Sequence, residues 1–416
     1  MSITKPATGV PCVSSSTFWA QPPPQRAFAF EELRRTAPIS FQEPPDFGMA
    51  GASPGFWAIT RHEDVVAVSR NPELFCSGQG VELGDTPVEL LELNASFVVM
   101  DPPRHTALRQ VVSGAFTPRR IAQLKDRIET EADRIVDEFV ETGSGDVVED
   151  FSRKLPLWTI CEMLGIPESL RPQLASAVEA LSAAQGTNLD SLAQNDGTAA
   201  LGAGMAIHRI AATILADRRL RPRDDIPSSL VHSELDGEPL SEQILRNIFV
   251  LFITAGNDTT KNTTSHALKL FADNPEQWSL LVNDRTLVTS AVEEFVRCAS
   301  PVILFRRTAR ADTTLGGVDI AQGDPVVMFY ESANRDELVF RNPERFDITR
   351  DPNPHVGFGG GGAHFCLGAN LARVELRALF TRLAERVTSF EVGEPSYLVS
   401  NFFNGITRMP VQVVAG

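Results

Sequence analysis

The chain has 416 residues, of which 43% are hydrophobic and 22% are charged, and its formal net charge is −15 at pH 7. A chain of this length can bury a large core. The negative charge argues against nucleic acid as a partner, because surfaces that bind nucleic acid are basic.

The cysteines and the hydropathy pattern indicate the cellular compartment. Five cysteines (positions 12, 76, 161, 298 and 366) are dispersed without metal-type spacing. An odd, dispersed set favours a reducing compartment over a disulfide framework. The polar, proline-rich start does not resemble a signal peptide, and no apolar run approaches the ~20 residues of a membrane span. We therefore expect a cytoplasmic protein without a membrane anchor.

The first hundred residues are weakly patterned. Residues 1–45 predict an N-terminal arm with one short helix around Phe30–Thr36. A strand at Phe56–Thr60 and a helix at Glu63–Val68 follow. Residues 75–99 mix glycine, proline and acidic residues and predict a long loop, which is usually a functional feature. Since we find no linker along the chain, we predict a single domain over residues 1–416.

A helix-start signal, Asp101-Pro102-Pro103, precedes His105 and Arg109. These two basic residues are four apart and therefore share one helical face. On these residues alone, a solvated basic face is the default interpretation. Further on, residues 120–235 predict several amphipathic helices, and the segment 176–205 is rich in small residues with little periodicity.

A long buried helix is predicted from Leu245 to Leu270. It is apolar at first and then turns abruptly small and polar over Ala255-Gly256-Asn257-Asp258-Thr259-Thr260. The Thr259 hydroxyl can bond back to the Ala255 carbonyl, which bends or opens a helix. Asp258 beside it is a possible proton source. A kinked helix with a polar cap is the competing interpretation.

Two further patterns follow the long helix. Glu294 and Arg297 are three apart and can pair on a helix. From Pro301 to Val327 the pattern is strand-like. Near the end of the chain, Phe402–Ile406 predicts a hairpin tip and Val411–Val413 its return strand.

The stretch from Phe358 to Arg373 carries the most specific signal. Four glycines, Gly359–Gly362, strip the backbone of β-carbons, so that a flat group can lie against it. Cys366 then stands at the start of a helical pattern, where the helix dipole lowers the pKa of a thiol and suits a thiolate ligand. A structural cysteine behind a glycine loop is the alternative interpretation.

This stretch resembles the haem-binding loop of cytochrome P-450 monooxygenases, in which a cysteine thiolate holds the haem iron. The Ala255–Thr260 turn and the Glu294-x-x-Arg297 pattern resemble the family's other motifs. The resemblance implies a mainly α-helical fold with a smaller β-rich lobe, the cytochrome P-450 fold, and haem b with Cys366 as its axial ligand. Phe358 lies eight residues before Cys366, one more than the common spacing.

The resemblance also assigns roles to residues of this chain. Thr259 and Asp258 would activate oxygen, and Glu294, Arg297 and Arg345 would form a buried ion-pair network. The implied haem contacts are His105, Arg109, Arg307 and His364 at the propionates, and Ala255, Gly256, Phe358 and Gly368 elsewhere. The implied apolar substrate pocket is Phe97, Val98, Phe252, Ile253, Val302, Ile303, Leu304, Phe402, Phe403 and Ile406.

The implied reaction inserts one oxygen atom from dioxygen into an unactivated C–H bond. The chain has no flavin or iron–sulfur segment, so electrons would come from NAD(P)H through a ferredoxin reductase and a ferredoxin. We expect the donor to dock on a monomer, at a basic patch of Arg104, Arg119, Arg120 and Lys125. A non-enzymatic haem-thiolate sensor and a peroxide-driven enzyme are alternatives that the Asp258–Thr259 pair argues against.

The substrate expectation depends on a closer resemblance. Residues 255–262 and 353–364 are similar to actinobacterial members that oxidise lipid and sterol side chains. This implies hydroxylation at or near the terminal methyl group of a methyl-branched fatty acid, an isoprenoid or a sterol side chain. A polyketide or terpene tailoring hydroxylase is the alternative.

Overall fold

The computed structural model describes residues 9–46, 53–93, 95–184, 198–235 and 237–415. Helices dominate this part of the chain. In chain order they are α1 Ser16–Trp19, α2 Pro23–Thr36, α3 His62–Ser69, α4 Val88–Leu93, α5 Arg104–Ser113, α6 Pro118–Thr142, α7 Lys154–Met163, α8 Arg171–Ala184, α9 Thr198–Leu220, α10 Ile226–Val231, α11 Glu242–Asp273, α12 Pro275–Asn283, α13 Val288–Ala299, α14 Tyr330–Ala333 and α15 Ala369–Arg386.

The strands are short and form a smaller lobe. They are β1 Ile39–Gln42, β2 Phe56–Ile59, β3 Phe75–Cys76, β4 Ser144–Asp146, β5 Glu234–Leu235, β6 Glu238–Pro239, β7 Leu304–Ala309, β8 Thr313–Leu315, β9 Val318–Ile320, β10 Pro325–Phe329, β11 Val387–Val392, β12 Ser396–Tyr397, β13 Ile406–Arg408 and β14 Pro410–Ala415. The predicted class, mainly α with a smaller β-rich lobe, is confirmed.

Helix α11 runs through the centre of the helical part. It begins where the Ser241 hydroxyl accepts a hydrogen bond from the Ile244 N–H at 3.3 Å, an N-cap that satisfies one free amide. It packs against α7, α9 and α13. Its first half buries Ile248, Phe249 and Phe252, as predicted for a core helix. The helix is longer than the predicted span, and it positions the polar Ala255–Thr260 turn deep inside the protein.

The largest sheet has the strand order β1-β2-β10-β7-β3. All five residues of β10 are buried, which is typical of a central strand. Strand β7 pairs antiparallel with β10, with Arg307 opposite Val326. Because β7 is fixed on both sides by β10 and β3, its side chains hold defined positions at the edge of the site.

The N-terminal segment is more structured than the sequence pattern indicates. Besides the 14-residue helix α2, it carries α1 and the edge strand β1. Trp19, Phe30 and Leu33 are almost fully buried and pack in one cluster with Phe329. This segment is therefore part of the core rather than a peripheral arm. Residues 1–8 of the predicted arm lie outside the described ranges.

The C-terminal strand and the segment 176–205 differ from the sequence-based predictions or are only partly described. The predicted return strand at 411–413 does not close a hairpin with residues 402–406, because β14 pairs instead with β11 and β4. Within the weakly patterned segment 176–205, α8 ends at Ala184 and α9 begins at Thr198, and residues 185–197 lie outside the described ranges. Among the helices that the structure describes, none is long and apolar enough to cross a membrane.

Candidate functional site

The cysteine loop closes on itself directly before α15. The Cys366 N–H donates to the Phe358 carbonyl at 2.9 Å. The backbone N–H groups of Gly368 and Ala369, at the start of α15, donate to the Cys366 sulfur. These donors are the groups that a helix N-terminus leaves free, and they stabilise a thiolate. The loop therefore presents one sulfur atom with its hydrogen bonds already in place.

The pKa of the Cys366 thiol is raised, whereas the sequence predicted that the start of the helix would lower it. Burial raises the pKa of the Cys366 thiol above its usual 9.0 and outweighs the two N–H donors and the nearby Arg109 and Arg373 charges. The predicted lowering of the Cys366 pKa was wrong. Desolvation destabilises the thiolate more than the N–H groups at the helix start stabilise it. The side chain nevertheless has accessible surface, so a ligand can reach it.

Two glycines of the loop pack closely against the end of α3. A β-carbon on Gly360 would lie 2.8 Å from the Ser69 Cβ, and one on Gly362 would lie 2.5 Å from the Ser69 carbonyl oxygen. Gly362 also has a φ of +78°, which other residues rarely adopt. These glycines thus allow the loop to touch the end of α3.

Phe358 is tied to the cysteine through the backbone. Its ring lies under the Arg373 guanidinium, with 4.5 Å between the guanidinium carbon and the ring centroid. Arg373 is in turn held by Glu293, with 2.7 Å between Arg373 Nε and Glu293 Oε1. This stack anchors the ring beside the start of α15.

Four basic side chains meet beside the loop. The rings of His105 and His364 lie 4.2 Å apart, and His364 Nε2 is 3.1 Å from the Ser77 hydroxyl. Arg109 donates to the Phe365 carbonyl, one residue before Cys366. Arg307 is buried on β7. The structure thus brings together all four residues that the sequence assigned to the propionates.

This cluster fits a dianionic group. Both ring nitrogens of His105 are buried, and neither has a hydrogen-bond partner among the residues that the structure describes. Burial and the neighbouring basic residues Arg307, His105 and Arg109 lower the pKa of His364 to about 2. The nearby Asp101 carboxylate is already engaged by Arg310 at 2.9 Å and by backbone amides. Buried basic groups without a neutralising anion suit the two carboxylates of a haem.

Arg306, the neighbour of Arg307, is directed elsewhere. Its Nη1 donates to Asp85 Oδ1 at 2.6 Å and to the Gly84 carbonyl at 3.1 Å. Alternating residues of a strand point to opposite faces, and this explains why only Arg307 joins the histidines.

The polar turn of α11 has the predicted internal hydrogen bond. The Thr259 hydroxyl donates to the Ala255 carbonyl at 2.8 Å. Ala255 is exposed although it lies between buried residues such as Phe252 and Asp258. The helix nevertheless stays continuous from Glu242 to Asp273, so this bond does not open it.

Asp258 is the centre of a buried hydrogen-bond network. Its Oδ1 accepts from Lys261 Nζ at 2.7 Å and from Asn257 Nδ2 at 3.1 Å. Its Oδ2 accepts from the Ser182 hydroxyl on α8 at 2.6 Å. The contact of Lys261 with Asp258 could have been predicted from their three-residue spacing on a helix. The contact of Ser182 with Asp258 could not, because the two residues are 76 apart in the sequence. The network holds the acid next to the Thr259 turn.

A second buried acid, Glu375 on α15, was missed by the sequence interpretation. Burial raises its pKa from 4.5 to about 7, while the Thr159 and Thr260 hydroxyls act in the opposite direction. A signal existed, because Glu375 lies four residues from both Leu371 and Leu379, which are buried. An acid on an apolar helix face is a candidate for a perturbed pKa.

The predicted ion pair is present and fully buried. Arg297 Nε and Nη2 each lie 2.8 Å from an oxygen of Glu294, and both side chains are 0% exposed. Burial raises the pKa of Glu294, but the bonds to Arg297 and the charge of Arg350 outweigh it and hold that pKa below its usual value.

The third member of this network is Arg350, and the prediction of Arg345 was wrong. Arg350 Nε lies 3.1 Å from Glu294 Oε2. Arg345 is exposed, and only its backbone carbonyl takes part, accepting from Arg297 and Arg350. The turn at Asn342–Arg345 directs the Arg345 carbonyl inwards, so that the side chain points to solvent.

The predicted pocket residues divide into two groups. Val98, Val302 and Phe402 keep accessible surface, and Phe97, Phe252 and Phe403 lie at 5–6% exposure. Four others are core residues with 0–2% exposure, so the prediction that they line a pocket was wrong; they are Ile253, Ile303, Leu304 and Ile406. Apolar composition alone does not separate a pocket wall from the core behind it.

Comparison with known proteins agrees with the geometry. The family model described as Cytochrome P450 matches residues 57–396. The chain is 40% identical over 408 residues to a methyl-branched lipid omega-hydroxylase of Mycobacterium tuberculosis, covering 96% of this chain and 94% of that protein. It is also 40% identical to a steroid C26-monooxygenase of Rhodococcus jostii, over 92% of this chain and 80% of that protein.

A solved structure is similar over the whole described fold. A cytochrome P450 of Mycobacterium marinum, in complex with pseudoionone, superposes with a TM-score of 0.93 and 46% identity, covering 99% of this chain and 100% of that one. The family's cofactor is haem, which fits the sulfur at Cys366 and the basic cluster around His105. With this match, the fold and the motif geometry lead to one conclusion: the chain belongs to the cytochrome P450 family and is a haem-thiolate monooxygenase.

Proposed function

We propose that this enzyme hydroxylates the terminal methyl group of a methyl-branched fatty acid, an isoprenoid or a sterol side chain. One observation supports it above others. The chain is 40% identical both to a methyl-branched lipid omega-hydroxylase and to a steroid C26-monooxygenase, two proteins whose names place oxidation at the end of a branched hydrocarbon. A substrate class common to both is a branched alkyl tail.

The apolar side chains near the site support this proposal. Phe252 on α11 packs edge-on against Phe116 at 5.3 Å between ring centroids. Phe402 contacts Phe305 at 5.4 Å, and Val302 is bridged to Phe403 through the backbone. Burying one CH₂ group contributes about 0.8 kcal/mol, so a long alkyl tail gains affinity from such walls without a polar anchor.

The residues of the site would divide the chemistry among them. The reaction consumes dioxygen, two electrons and two protons, and yields a C–OH group and water. When bound, the haem supplies oxygen activation, which a thiolate ligand promotes. Cys366 would hold the iron, and the Gly368 and Ala369 amides would orient its sulfur. Because its one hydroxyl proton is donated to the Ala255 carbonyl, Thr259 would accept a hydrogen bond at the site of oxygen activation, and Asp258 would relay protons from the Lys261–Ser182 side.

We propose a ferredoxin, reduced by an NAD(P)H-dependent reductase, as the electron donor. Arg104 and Arg119 are exposed and form no ion pair with any residue that the structure describes. The other two members of the predicted basic patch are partly neutralised, Arg120 by Asp224 and Lys125 by Glu129. The docking surface is therefore narrower than predicted and centres on Arg104 and Arg119. Charge complementarity with an acidic donor would accelerate docking.

The alternative is a polyketide or terpene tailoring hydroxylase. It is favoured by one structural neighbour, a cytochrome P450 of the bacillaene polyketide synthase of Bacillus subtilis, at 30% identity and a TM-score of 0.82. The lower identity and the apolar walls make it the weaker candidate. The non-enzymatic sensor has no use for the Asp258 network.

The test is turnover of the reconstituted enzyme with a ferredoxin, its reductase and a panel of branched lipids, straight-chain fatty acids and macrolides. Mass spectrometry would locate the new hydroxyl group. We expect branched lipids to shift the haem iron to high spin and to carry the oxygen at a terminal methyl group. If only polar macrocycles bind and react, the lipid assignment is wrong.

A further inference from the structure

Arg373 on α15 is held in one place by a carboxylate and an aromatic ring. Its Nε lies 2.7 Å from Glu293 Oε1 and its Nη2 lies 2.8 Å from Glu293 Oε2, a two-point contact that fixes the guanidinium plane. The guanidinium carbon is 4.5 Å from the centroid of the Phe358 ring. Among the residues that the structure describes, Glu293 is the one acid that forms an ion pair with Arg373.

His355 holds Glu293 from the other side. Its Nδ1 accepts from the Gly357 N–H at 3.1 Å, so its Nε2 carries the proton that is donated to Glu293 Oε2 at 3.0 Å. Burial alone would raise the pKa of Glu293, but the hydrogen bonds from Arg373 and His355 hold that pKa at about 2. Glu293 is therefore a carboxylate at neutral pH and neutralises the charge of Arg373.

The charge of Arg373 reaches the sulfur of Cys366. Burial raises the pKa of the Cys366 thiol, and Arg109 and Arg373 are the two cations that act in the opposite direction. The ring that Arg373 covers belongs to Phe358, whose carbonyl accepts from the Cys366 N–H at 2.9 Å. The Arg373 and Glu293 side chains are 23% and 26% exposed, so solvent screens this ion pair only in part.

We infer that Glu293 is a positioning residue that sets the reduction potential of the iron held by Cys366, because it neutralises Arg373. The ferrous site carries one more negative charge than the ferric site, so an uncompensated cation near the thiolate favours reduction. Charges and hydrogen bonds behind a metal ligand tune the metal in this way. The inference goes beyond the proposed substrate and rests on Cys366 as the iron ligand.

The experiment is a spectroelectrochemical titration of the haem-loaded full chain without substrate. Glu293→Gln leaves the Arg373 charge uncompensated, and its potential should become more positive by up to about 59 mV, a tenfold change in the equilibrium constant for one electron. Arg373→Gln leaves the carboxylate uncompensated, and its potential should become more negative. The double variant, which lacks both charges, should return close to the wild type.

Glu385→Gln is the matched control. It removes a carboxylate from an arginine pair on the same helix, where Arg382 Nη1 lies 2.9 Å from Glu385 Oε2. Glu385 lies about three helical turns, or roughly 18 Å, beyond Arg373. Its potential should equal that of the wild type. An unchanged or more negative potential in Glu293→Gln would overturn the inference, and so would an equal shift in Glu385→Gln.

Arg373→Lys separates the charge from the geometry. Lysine keeps the charge but loses the two-point contact and the flat face over the Phe358 ring. Its potential should lie closer to the wild type than that of Arg373→Gln. Equal shifts in these two variants would show a structural role and overturn the inference, and this comparison decides the matter even where Glu293→Gln fails to retain haem.

The reduced carbon monoxide spectrum of each protein separates this inference from the assignment of the ligand. If the wild type lacks the band of a thiolate complex, the assignment of Cys366 is wrong and the inference fails with it. If the band is present while Glu293→Gln has the potential of the wild type, only the role of Glu293 fails.

Discussion

Thr259 carries the clearest single-residue prediction for the chemistry. Its hydroxyl bonds to the Ala255 carbonyl in the one stretch of α11 where a small residue is exposed. Thr259→Ala removes a hydroxyl oxygen that can accept a hydrogen bond at the site of oxygen activation, so NADH consumption should continue while the yield of hydroxylated product per NADH falls several-fold. The measurement is product formed against NADH oxidised and peroxide released.

The matched control is Thr264→Ala. Thr264 makes the same type of bond, from its hydroxyl to the Thr260 carbonyl at 2.9 Å, but it is 0% exposed. Its removal should leave the coupling of NADH to product unchanged. Equal uncoupling in both variants, or in neither, would remove Thr259 from the mechanism.

Glu375 gives a prediction for the dependence of stability on pH. Its pKa rises from 4.5 in water to about 7 in the folded protein, with burial as the main cause. The folded state therefore holds the proton more tightly than the unfolded state, and its stability falls as pH rises from about 4.5 through 7. The difference between the two pKa values corresponds to roughly 3 kcal/mol once both states are ionised.

Glu375→Gln removes this titration. Compared with the wild type in urea unfolding, the variant should gain up to about 3 kcal/mol at pH 8 and nothing from this source at pH 5. A stability difference that stays constant between pH 5 and pH 8 would contradict the raised pKa. Glu385→Gln, on the exposed end of the same helix, should show no such pH dependence.

At the scale of elements, the corrected ion-pair network ties α13 to the segment before the cysteine loop. Arg350→Ala removes the bonds from Arg350 to Glu294, which is 0% exposed and keeps the Arg297 charge together with the Asp347 amide and the Asn353 side chain as donors. We expect a loss of about 2 kcal/mol in the free energy of unfolding, as for hydrogen bonds to a buried charge, and a lower haem content. Arg345→Ala, which removes only an exposed side chain, should cost less than about 0.5 kcal/mol.

Urea unfolding and the haem absorbance per protein measure both effects. If Arg345→Ala is the more damaging of the two substitutions, the network contains Arg345 and the assignment of Arg350 is wrong. Equal, small effects of both would show that the Glu294 carboxylate is stabilised without Arg350.

Contacts inside one helix were predictable from the sequence, and contacts between distant segments were not. The spacing of Ala255 and Thr259, and of Glu294 and Arg297, fixes their geometry as soon as the helix is recognised. The Asp258–Ser182 bond joins residues 76 apart, so no local pattern encodes it. The pocket predictions failed where apolar residues such as Ile303 face the core, because hydrophobicity does not indicate which surface a side chain covers.

The pairing of strands was likewise not predictable from local sequence patterns. Strand β2 was predicted from alternation between residues 56 and 60, but its partner β10 lies far along the chain. The pairing of β14 with β11 had no turn signal between them and was mispredicted as a local hairpin. The burial of Trp19 and Phe30 is similarly set by Phe329, a distant residue.

For the whole molecule, the net charge of −15 makes the approach of an acidic donor depend on a local basic surface. Arg119→Glu reverses one of the two unpaired charges of that surface, so reduction by ferredoxin should slow several-fold at low salt, and the difference should shrink at high salt. Stopped-flow reduction at two ionic strengths measures this. Arg285→Glu, an exposed arginine between α12 and α13, is the control. Insensitivity of the rate to both salt and Arg119→Glu would place the donor elsewhere.

The central claim is that Cys366 holds the haem iron as a thiolate within this fold. The most direct measurement is the absorbance spectrum of the reduced carbon monoxide complex of the wild type, Cys366→Ser and Cys12→Ser, the last being an exposed cysteine outside the site. Serine replaces a soft thiolate by a hard, weakly acidic alcohol. We predict the far-red-shifted Soret band of a thiolate complex in the wild type and in Cys12→Ser, and its loss in Cys366→Ser. Persistence of that band in Cys366→Ser would contradict the account.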